Sequence, residues 1–211
     1  MTNKIIGIQG DKLDKINISS DTSIFLAHEA QKLGYKIFYY TPSNLSIIKN
    51  KTYANGVFVK LNYERKKFYK IYKKQKIDVE NLKFILIRQD PPFNSEYLIT
   101  TLILDDLKKT RVINNPVAIR NVSEKLYSKK FIKYMPDTIF SNNIEEVKKF
   151  YKQNKSIIMK PINGYGGNQI HLIKNKFDKK LITNFLNKNG HSMFQKFLKN
   201  ISKGDKRVFI I

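Results

Sequence analysis

The residues best suited to chemistry in this chain lie between Ile157 and Ile173. An apolar run, Ile157-Ile158-Met159, ends in Lys160 and Pro161. Gly164, Tyr165, Gly166 and Gly167 follow, and a second apolar run from Ile170 to Ile173 closes the stretch. The pattern predicts strand, loop, strand. The chain has nine glycines, and three of them fall within these four positions. Glycine lets backbone N–H groups approach a ligand without a Cβ clash, and successive N–H groups in such a loop form an anion-binding concavity. Lys160, at the end of the first strand, would aim a compact positive charge at the same place. That is the chemistry of a nucleotide phosphate held by a glycine loop and a lysine. A plain hairpin accounts for the same text equally well, because neither familiar phosphate fingerprint is present. The P-loop needs Gly-Lys-Ser/Thr opening a helix, and the dinucleotide fingerprint needs a helix after its glycines. Here Asn168 follows Gly167, and Ile170 to Ile173 reads as strand.

A second group of chemical residues ends the apolar run Phe84 to Arg88, which continues into Gln89-Asp90-Pro91-Pro92-Phe93. Two prolines bar continuation as helix or strand. A strand end that delivers Arg88 and Asp90 into a rigid turn is where α/β sheets place ligand-binding groups. An Arg88–Asp90 ion pair bracing the turn is the alternative. Other chemistries are excluded by residue type. There is no cysteine, hence no disulfide, Cys-ligated zinc or thiol catalysis, and the composition suits a reducing cytosol. His28, His171 and His191 are far apart and match no metal spacing, and no Ser-His-Asp arrangement is in sight. His171 alternates with Ile170 and Leu172 and reads as a solvent-facing strand position.

The elements that must position these residues follow an α/β pattern. Lys4 to Gln9 and Lys36 to Tyr40 read as strands on either side of a helix from Thr22 to about Leu33, capped by Ser20 or Asp21, with Leu26, Ala30 and Leu33 on one face. Asn55-Gly56 predicts a hairpin turn within Ser46 to Tyr63. Glu64 to Lys76, rich in lysine with Phe68, Ile71 and Tyr72 interleaved, reads as a solvated helix in preference to an RNA-stacking surface. Further helices are expected over Glu96 to Leu107, from about Arg120 through Phe131, over Asn143 to Lys152 and over Lys179 to Lys188. Further strands are expected over Arg111 to Ile113, Asp137 to Phe140, Met193 to Leu198 and Lys206 to Ile211. The pattern changes near Asn121, which divides the chain into residues 1–121 and 122–211.

The formal net charge of +23 over 211 residues is the loudest compositional fact. It could signal nucleic acid. Only five of the 40 basic residues are arginine, the base-reading type, and the lysines are spread over the whole length. A biased composition is therefore the preferred reading, and nucleic acid is not expected as a partner. No apolar run is long enough to span a bilayer, and the N-terminus runs straight into a strand pattern, so no membrane role and a cytoplasmic location are expected.

Several segments together resemble bacterial glutathione synthetase, a ligase of the ATP-grasp superfamily. They are Arg88-Gln89-Asp90-Pro91-Pro92-Phe93; Asn115-Pro116 with Arg120-Asn121 and Glu124-Lys125; Met159-Lys160-Pro161 with Gly164-Tyr165-Gly166-Gly167; and Gly204-Asp205-Lys206-Arg207-Val208. They occur in the family's order and at similar spacings. The resemblance implies an N-terminal open α/β (pre-ATP-grasp) domain over 1–121 and the first part of an ATP-grasp domain over 122–211. It implies that Lys125 and Lys160 contact the ATP phosphates and that Gly164, Tyr165, Gly166 and Gly167 form a mobile loop over them. Gln195, Lys196, Phe197 and Leu198 would line the adenine, Asp205 would belong to the nucleotide site, and Arg207 would sit near the γ-phosphate or an acyl phosphate. Arg88 and Asp90 would lie near the dipeptide. The implied reaction joins glycine to γ-glutamylcysteine with ATP and Mg²⁺, in an enzyme that is a homo-oligomer at the family's full length. The resemblance covers this whole chain but only about the first two thirds of a family member. The family's metal ligands would fall beyond Ile211, so no metal ligand is assigned. The chain reads as an N-terminal fragment or truncated relative, and the 211 residues alone are expected not to catalyse ligation. Another ATP-grasp carboxylate–amine ligase, a basic nucleic-acid-binding protein and a nucleotide-binding module without catalysis are the alternatives. The Asp-Pro-Pro-Phe turn favours the first reading, since it belongs to the substrate side.

Overall fold

The computed structural model describes residues 4–63, 67–206 and 208–209. The chain divides into two units, Met1–Asn121 and Val122–Ile211. The first is an open α/β unit. Its elements are β1 (Ile5–Gln9), α1 (Thr22–Lys32), β2 (Lys36–Tyr40), β3 (Leu45–Ile48), β4 (Lys51–Leu61), β5 (Tyr69–Asp78), β6 (Phe84–Ile87), α2 (Ser95–Asp105), β7 (Arg111–Ile113) and α3 (Pro116–Asn121). Their sheet runs β3-β4-β2-β1-β6-β7, with β5 paired to β4. The pairs β1–β2, β1–β6 and β6–β7 are parallel. Side chains alternate across this sheet. Ile6, Ile8, Ile37 and Tyr39 pack with Ile24 and Ala27 of α1, whereas Phe38, Tyr40, Ile85 and Ile87 pack with Leu104 of α2. The two crossover helices thus cover opposite faces, and β2 and β7 lie on opposite sides of the β1–β6 pair. The carboxyl ends of β1 and β6 form a topological switch point, the place where open α/β sheets leave a crevice for ligands.

Helix α1 begins at an Asp21 cap, whose carboxylate accepts from the Ile24 N–H at 2.8 Å, the expected type of start. Its buried stripe is Ser23, Ile24 and Ala27, while Leu26 and Leu33 are 48% and 72% exposed. Ala30 lies at the edge of both stripes, so the spacing alone admitted either face. Two expectations are corrected in β3 to β5. The hairpin turn falls at Lys49 and Asn50, with φ of 48° and 60°, a two-residue turn of the left-handed kind that hairpins favour. Asn55 and Gly56 sit in mid-strand. A Cβ at Gly56 would lie 2.5 Å from Phe38 Cζ and 2.6 Å from the Tyr39 carbonyl oxygen, so this glycine serves close approach between β4 and β2. Gly56→Ala is expected to destabilise the first unit by about 1–3 kcal/mol, read as a lower urea midpoint with unchanged slope.

The helix expected over Glu64 to Lys76 is the strand β5 from Tyr69 onward; residues 64–66 lie outside the described residues. It pairs antiparallel with β4 from Leu61↔Tyr69 to Tyr53↔Asp78. A full ladder partner outweighs the weak local preference of a lysine-rich segment. Lys70, Lys73, Lys74 and Lys76 are exposed along this edge strand, where like charge discourages pairing with another copy.

Glu80 closes the return from β5. Its carboxylate accepts from the backbone N–H groups of Lys108, Lys109 and Thr110 at 2.6–2.9 Å. Burial raises its pKa, and the three N–H donors outweigh that and hold it below the ordinary glutamate value. A carboxylate depressed in the folded state adds stability above its unfolded pKa, and this is lost as pH falls through the folded pKa. Glu80→Ala is expected to lower stability by about 1 kcal/mol, given its partial exposure. Melting curves at neutral and acidic pH should converge for the two proteins as the carboxylate protonates.

The second unit holds α4 (Glu124–Tyr127), β8 (Thr138–Ser141), α5 (Ile144–Asn154), β9 (Ser156–Pro161), β10 (His171–Lys174), α6 (Lys179–Asn189) and β11 (Ser192–Lys196). Its sheet runs β10-β9-β11-β8, with every pair antiparallel. One face is dry: Ile157, Met159, Ile173 and Phe194 pack under Val147 and Phe150 of α5 and Ile182, Phe185 and Leu186 of α6. Asn143 caps α5 and Asp178 caps α6. His171 is half-buried with its ring edge-on to Phe185 at 5.6 Å, while Ile170 and Leu172 are the exposed positions. The strand register thus puts this histidine on the α6 side. Lys206, Val208 and Phe209 are not in a strand, and the rest of that expected strand lies outside the described residues. Among the described residues no helix is long and apolar enough to cross a membrane.

Candidate phosphate-binding site

The face of the second sheet opposite the helices carries the candidate site. Because β9 buries Ile157 and Met159 in the core, alternation turns Lys160 to the other face. There Lys160 is half-buried, and its Nζ donates to Gln195 Oε1 at 3.1 Å. Lys125, presented by α4, donates from Nζ to the Gly164 carbonyl oxygen. Its side chain is 13% exposed and lies 3.8 Å from the carboxylate of Glu124, itself 79% exposed. Burial first, and then the Lys125 charge, pull the Lys160 pKa below the ordinary lysine value, with Glu124 acting in the other direction. Lys125 is therefore held at the start of the glycine loop, and Lys160 lies on the strand that leads into it, within electrostatic reach of the Lys125 charge.

The loop joins β9 to β10. The Gly164 N–H donates to Pro161 O at 3.2 Å and the Asn168 N–H to Tyr165 O at 3.0 Å. Its glycines act for different reasons. A Cβ at Gly164 would lie 2.5 Å from Pro161 Cγ. Gly166 and Gly167 have φ of 58° and 74°, a conformation side chains disfavour, and a Cβ at Gly167 would meet nothing within 4 Å. The Gly166–Gly167 end of the loop is therefore open. Tyr165, between Gly164 and Gly166, is 40% exposed.

Gln195 to Leu198 leave the end of β11. The Lys196 N–H donates to Asp137 O at 2.8 Å and the Phe197 N–H to Ser156 O at 3.0 Å. Lys196 Nζ lies 3.9 Å from Asp137 in an exposed pair, worth little to stability. Leu198 is 54% exposed. Asp205 is exposed, and Arg207 lies outside the described residues. Sequence reasoning named Glu124 only as the neighbour of Lys125 and missed Thr138 altogether. Only the sheet register places Thr138 beside Gln195, and no sequence pattern carries that information.

Arg88 and Asp90 belong to the first unit, at the switch point. The Arg88 N–H donates to Gln9 O at 2.7 Å, which continues the β1–β6 ladder into the turn. Its guanidinium donates to Ser23 Oγ at 2.9 Å and Thr22 Oγ1 at 2.7 Å, at the start of α1. The Asp90 N–H donates to Asp11 Oδ2 at 2.8 Å. No Arg88–Asp90 ion pair is found among the described residues, so the turn is braced by Asp11 and by α1. Beneath it, Gln9 Nε2 donates to Gln89 Oε1 at 2.7 Å. Among the described residues no group of three His, Cys, Asp or Glu could hold a metal ion.

This architecture has solved relatives. A RimK domain protein ATP-grasp from Sphaerobacter thermophilus matches with a TM-score of 0.58 over 92% of this chain and 64% of that one, at 10% identity. The chain has the fold of the ATP-grasp ligases. Family models narrow this: the prokaryotic glutathione synthetase N-terminal domain matches residues 5–120, and the prokaryotic glutathione synthetase ATP-grasp domain matches residues 124–211. A glutathione synthetase from Mesorhizobium japonicum is 36% identical over 98% of this chain and 67% of its own length. One from Buchnera aphidicola subsp. Acyrthosiphon pisum is 36% identical over 98% of this chain and 66% of its own length. The chain belongs to the prokaryotic glutathione synthetase family and spans about two thirds of the length of these curated relatives.

Proposed function

We propose that this protein is an ATP-dependent carboxylate–amine ligase that joins glycine to γ-glutamylcysteine. The observation that carries the nucleotide part is the Lys125 ammonium donating to the Gly164 carbonyl of the glycine loop, with Lys160 half-buried on the strand that leads into that loop. Two neighbouring ammonium groups repel each other, and a polyphosphate relieves that repulsion. The loop, with Tyr165, closes over the phosphates, and the backbone of Gln195, Lys196, Phe197 and Leu198 lines the adenine. Asp205 and Arg207 complete the nucleotide end. Arg88 and Asp90 receive the dipeptide at the switch point.

In the reaction the dipeptide's cysteinyl carboxylate takes the γ-phosphoryl group from ATP and releases ADP. The glycine amine then attacks the acyl carbon, loses a proton, and expels phosphate. Phosphoryl transfer needs positioning and charge neutralisation more than covalent help, which two lysines and loop N–H groups supply. An acyl phosphate hydrolyses in water, so a closing loop also protects it. Magnesium is implied by the family and would neutralise charge on the β- and γ-phosphates. A cytoplasmic location agrees with the cysteine-free composition. A homo-oligomer would meet on α2, where Leu98, Ile99 and Leu102 are exposed in a stretch, Gln89 to Leu107, free of lysine and arginine.

Positional isotope exchange tests the acyl-phosphate step. In protein of the family's full length, with γ-glutamylcysteine and no glycine, ATP labelled with ¹⁸O at the β,γ-bridge should scramble its label. Scrambling without the dipeptide, or none with it, would remove this chemistry.

A further inference from the structure

The lysine that the proposed function places on phosphate is held by a side chain that is itself held in one orientation. Thr138 on β8 pairs directly with Gln195 on β11, and Gln195 lies diagonal to Lys160, since Met193 is the register partner of Lys160 and Ile158 that of Gln195. The three residues form a row across β8, β11 and β9 on the face away from α5 and α6. Their hydrogen bonds run in one direction. The Thr138 hydroxyl donates to Pro136 O at 2.6 Å, and a carbonyl can only accept. The Thr138 oxygen is then left to accept, and it does so from Gln195 Nε2 at 2.9 Å. That fixes Gln195 Oε1 toward Lys160 Nζ at 3.1 Å. An ammonium has only donors, so a flipped amide would set donor against donor.

We propose that Thr138 is a positioning residue: its hydroxyl, anchored on the Pro136 carbonyl, locks the Gln195 amide so that Gln195 Oε1 holds the Lys160 ammonium in place for phosphate. This rests on the reading of Lys160 as a phosphate ligand and adds a residue to it. Thr138 touches neither lysine, and its effect passes through one rotatable amide.

The amide orientation gives a test that plain structural damage cannot imitate. Thr138→Val keeps the shape and removes the acceptor, and Thr138→Ser keeps the acceptor. Gln195→Glu replaces the amide by a carboxylate, which accepts at either oxygen and needs no orientation. The readout is the pH titration of the Lys160 side chain, followed by ¹³Cε resonances in the 211-residue chain. Of the charged groups acting on Lys160, Lys125 and Glu124 both lie on α4, and no substitution touches them. Thr138→Val should lower the titration midpoint, because the charged form loses its acceptor. Thr138→Ser should leave it in place, and Thr138→Val in a Gln195→Glu background should have no further effect. Should Thr138→Val fail to fold, Gln195→Leu removes the same acceptor and should lower the midpoint likewise. An unmoved midpoint in Thr138→Val, a shift in Thr138→Ser as large as in Thr138→Val, or an equal shift in the Gln195→Glu background overturns the proposal; where Gln195→Leu stands in, an unmoved midpoint does the same. In protein of the family's full length, Thr138→Val should raise the KM for ATP by about five- to ten-fold. If Lys160→Ala leaves nucleotide affinity intact, the phosphate reading falls instead, whatever the titration shows.

Discussion

In protein of the family's full length, replacing Lys160 by alanine is expected to weaken nucleotide binding by about ten- to a hundred-fold, the equivalent of one charge-assisted contact of about 1.5–3 kcal/mol. Lys125→Ala should cost a similar factor. The Lys125 ammonium meets the carbonyl of Gly164, so its removal also frees the start of the loop. The two effects should not add, because the Lys125 charge helps to lower the Lys160 pKa and its removal relaxes Lys160. A pH dependence follows. The Lys160 pKa lies below the ordinary lysine value through burial and through Lys125, and its ammonium is lost as pH rises through that lowered value. Affinity should therefore fall on the alkaline side sooner than an exposed lysine would allow. Equilibrium titration with a non-hydrolysable ATP analogue across pH reads both effects. Unchanged affinity in both variants would take these lysines out of the site.

Gly166→Val is expected to lower turnover far more than fold stability. Gly166 has φ of 58° with only the Asn168 amide near its hydrogen. A β-branched residue is strained there by about 1–2 kcal/mol. The cost falls on a loop outside the core of α5, α6 and the sheet. Under the proposed function the loop changes shape to cover phosphates, and a valine would restrict that motion. Backbone amides from Asn163 to Asn168 should exchange quickly in the free protein and slowly with the analogue bound. Equal exchange in the two states would return this segment to a plain hairpin.

The α/β order of the first unit was legible because apolar runs and caps agree: Asp21 caps α1, and Phe84 to Ile87 is a buried strand. Lysines hid β5, since its ladder partner β4 is invisible to local propensity. Asn55-Gly56 misled because a glycine for close approach to Phe38 looks the same in sequence as one for a turn. The glycine loop and Lys160 were legible as chemistry because glycine is scarce in this chain. The partnership of Lys160 with Gln195 and Thr138 was not, since it depends on the register of three antiparallel strands. By itself the loop reads equally as a hairpin, and no spacing rule connects Lys125 to Gly164.

The most direct test of the account is product formation by protein of the family's full length carrying these 211 residues. Mg²⁺-ATP, γ-glutamylcysteine and glycine should yield glutathione, ADP and phosphate in equal amounts, with each product dependent on all three substrates. ATP turnover that ignores γ-glutamylcysteine, or ligation that proceeds unchanged with Lys160→Ala, would contradict it.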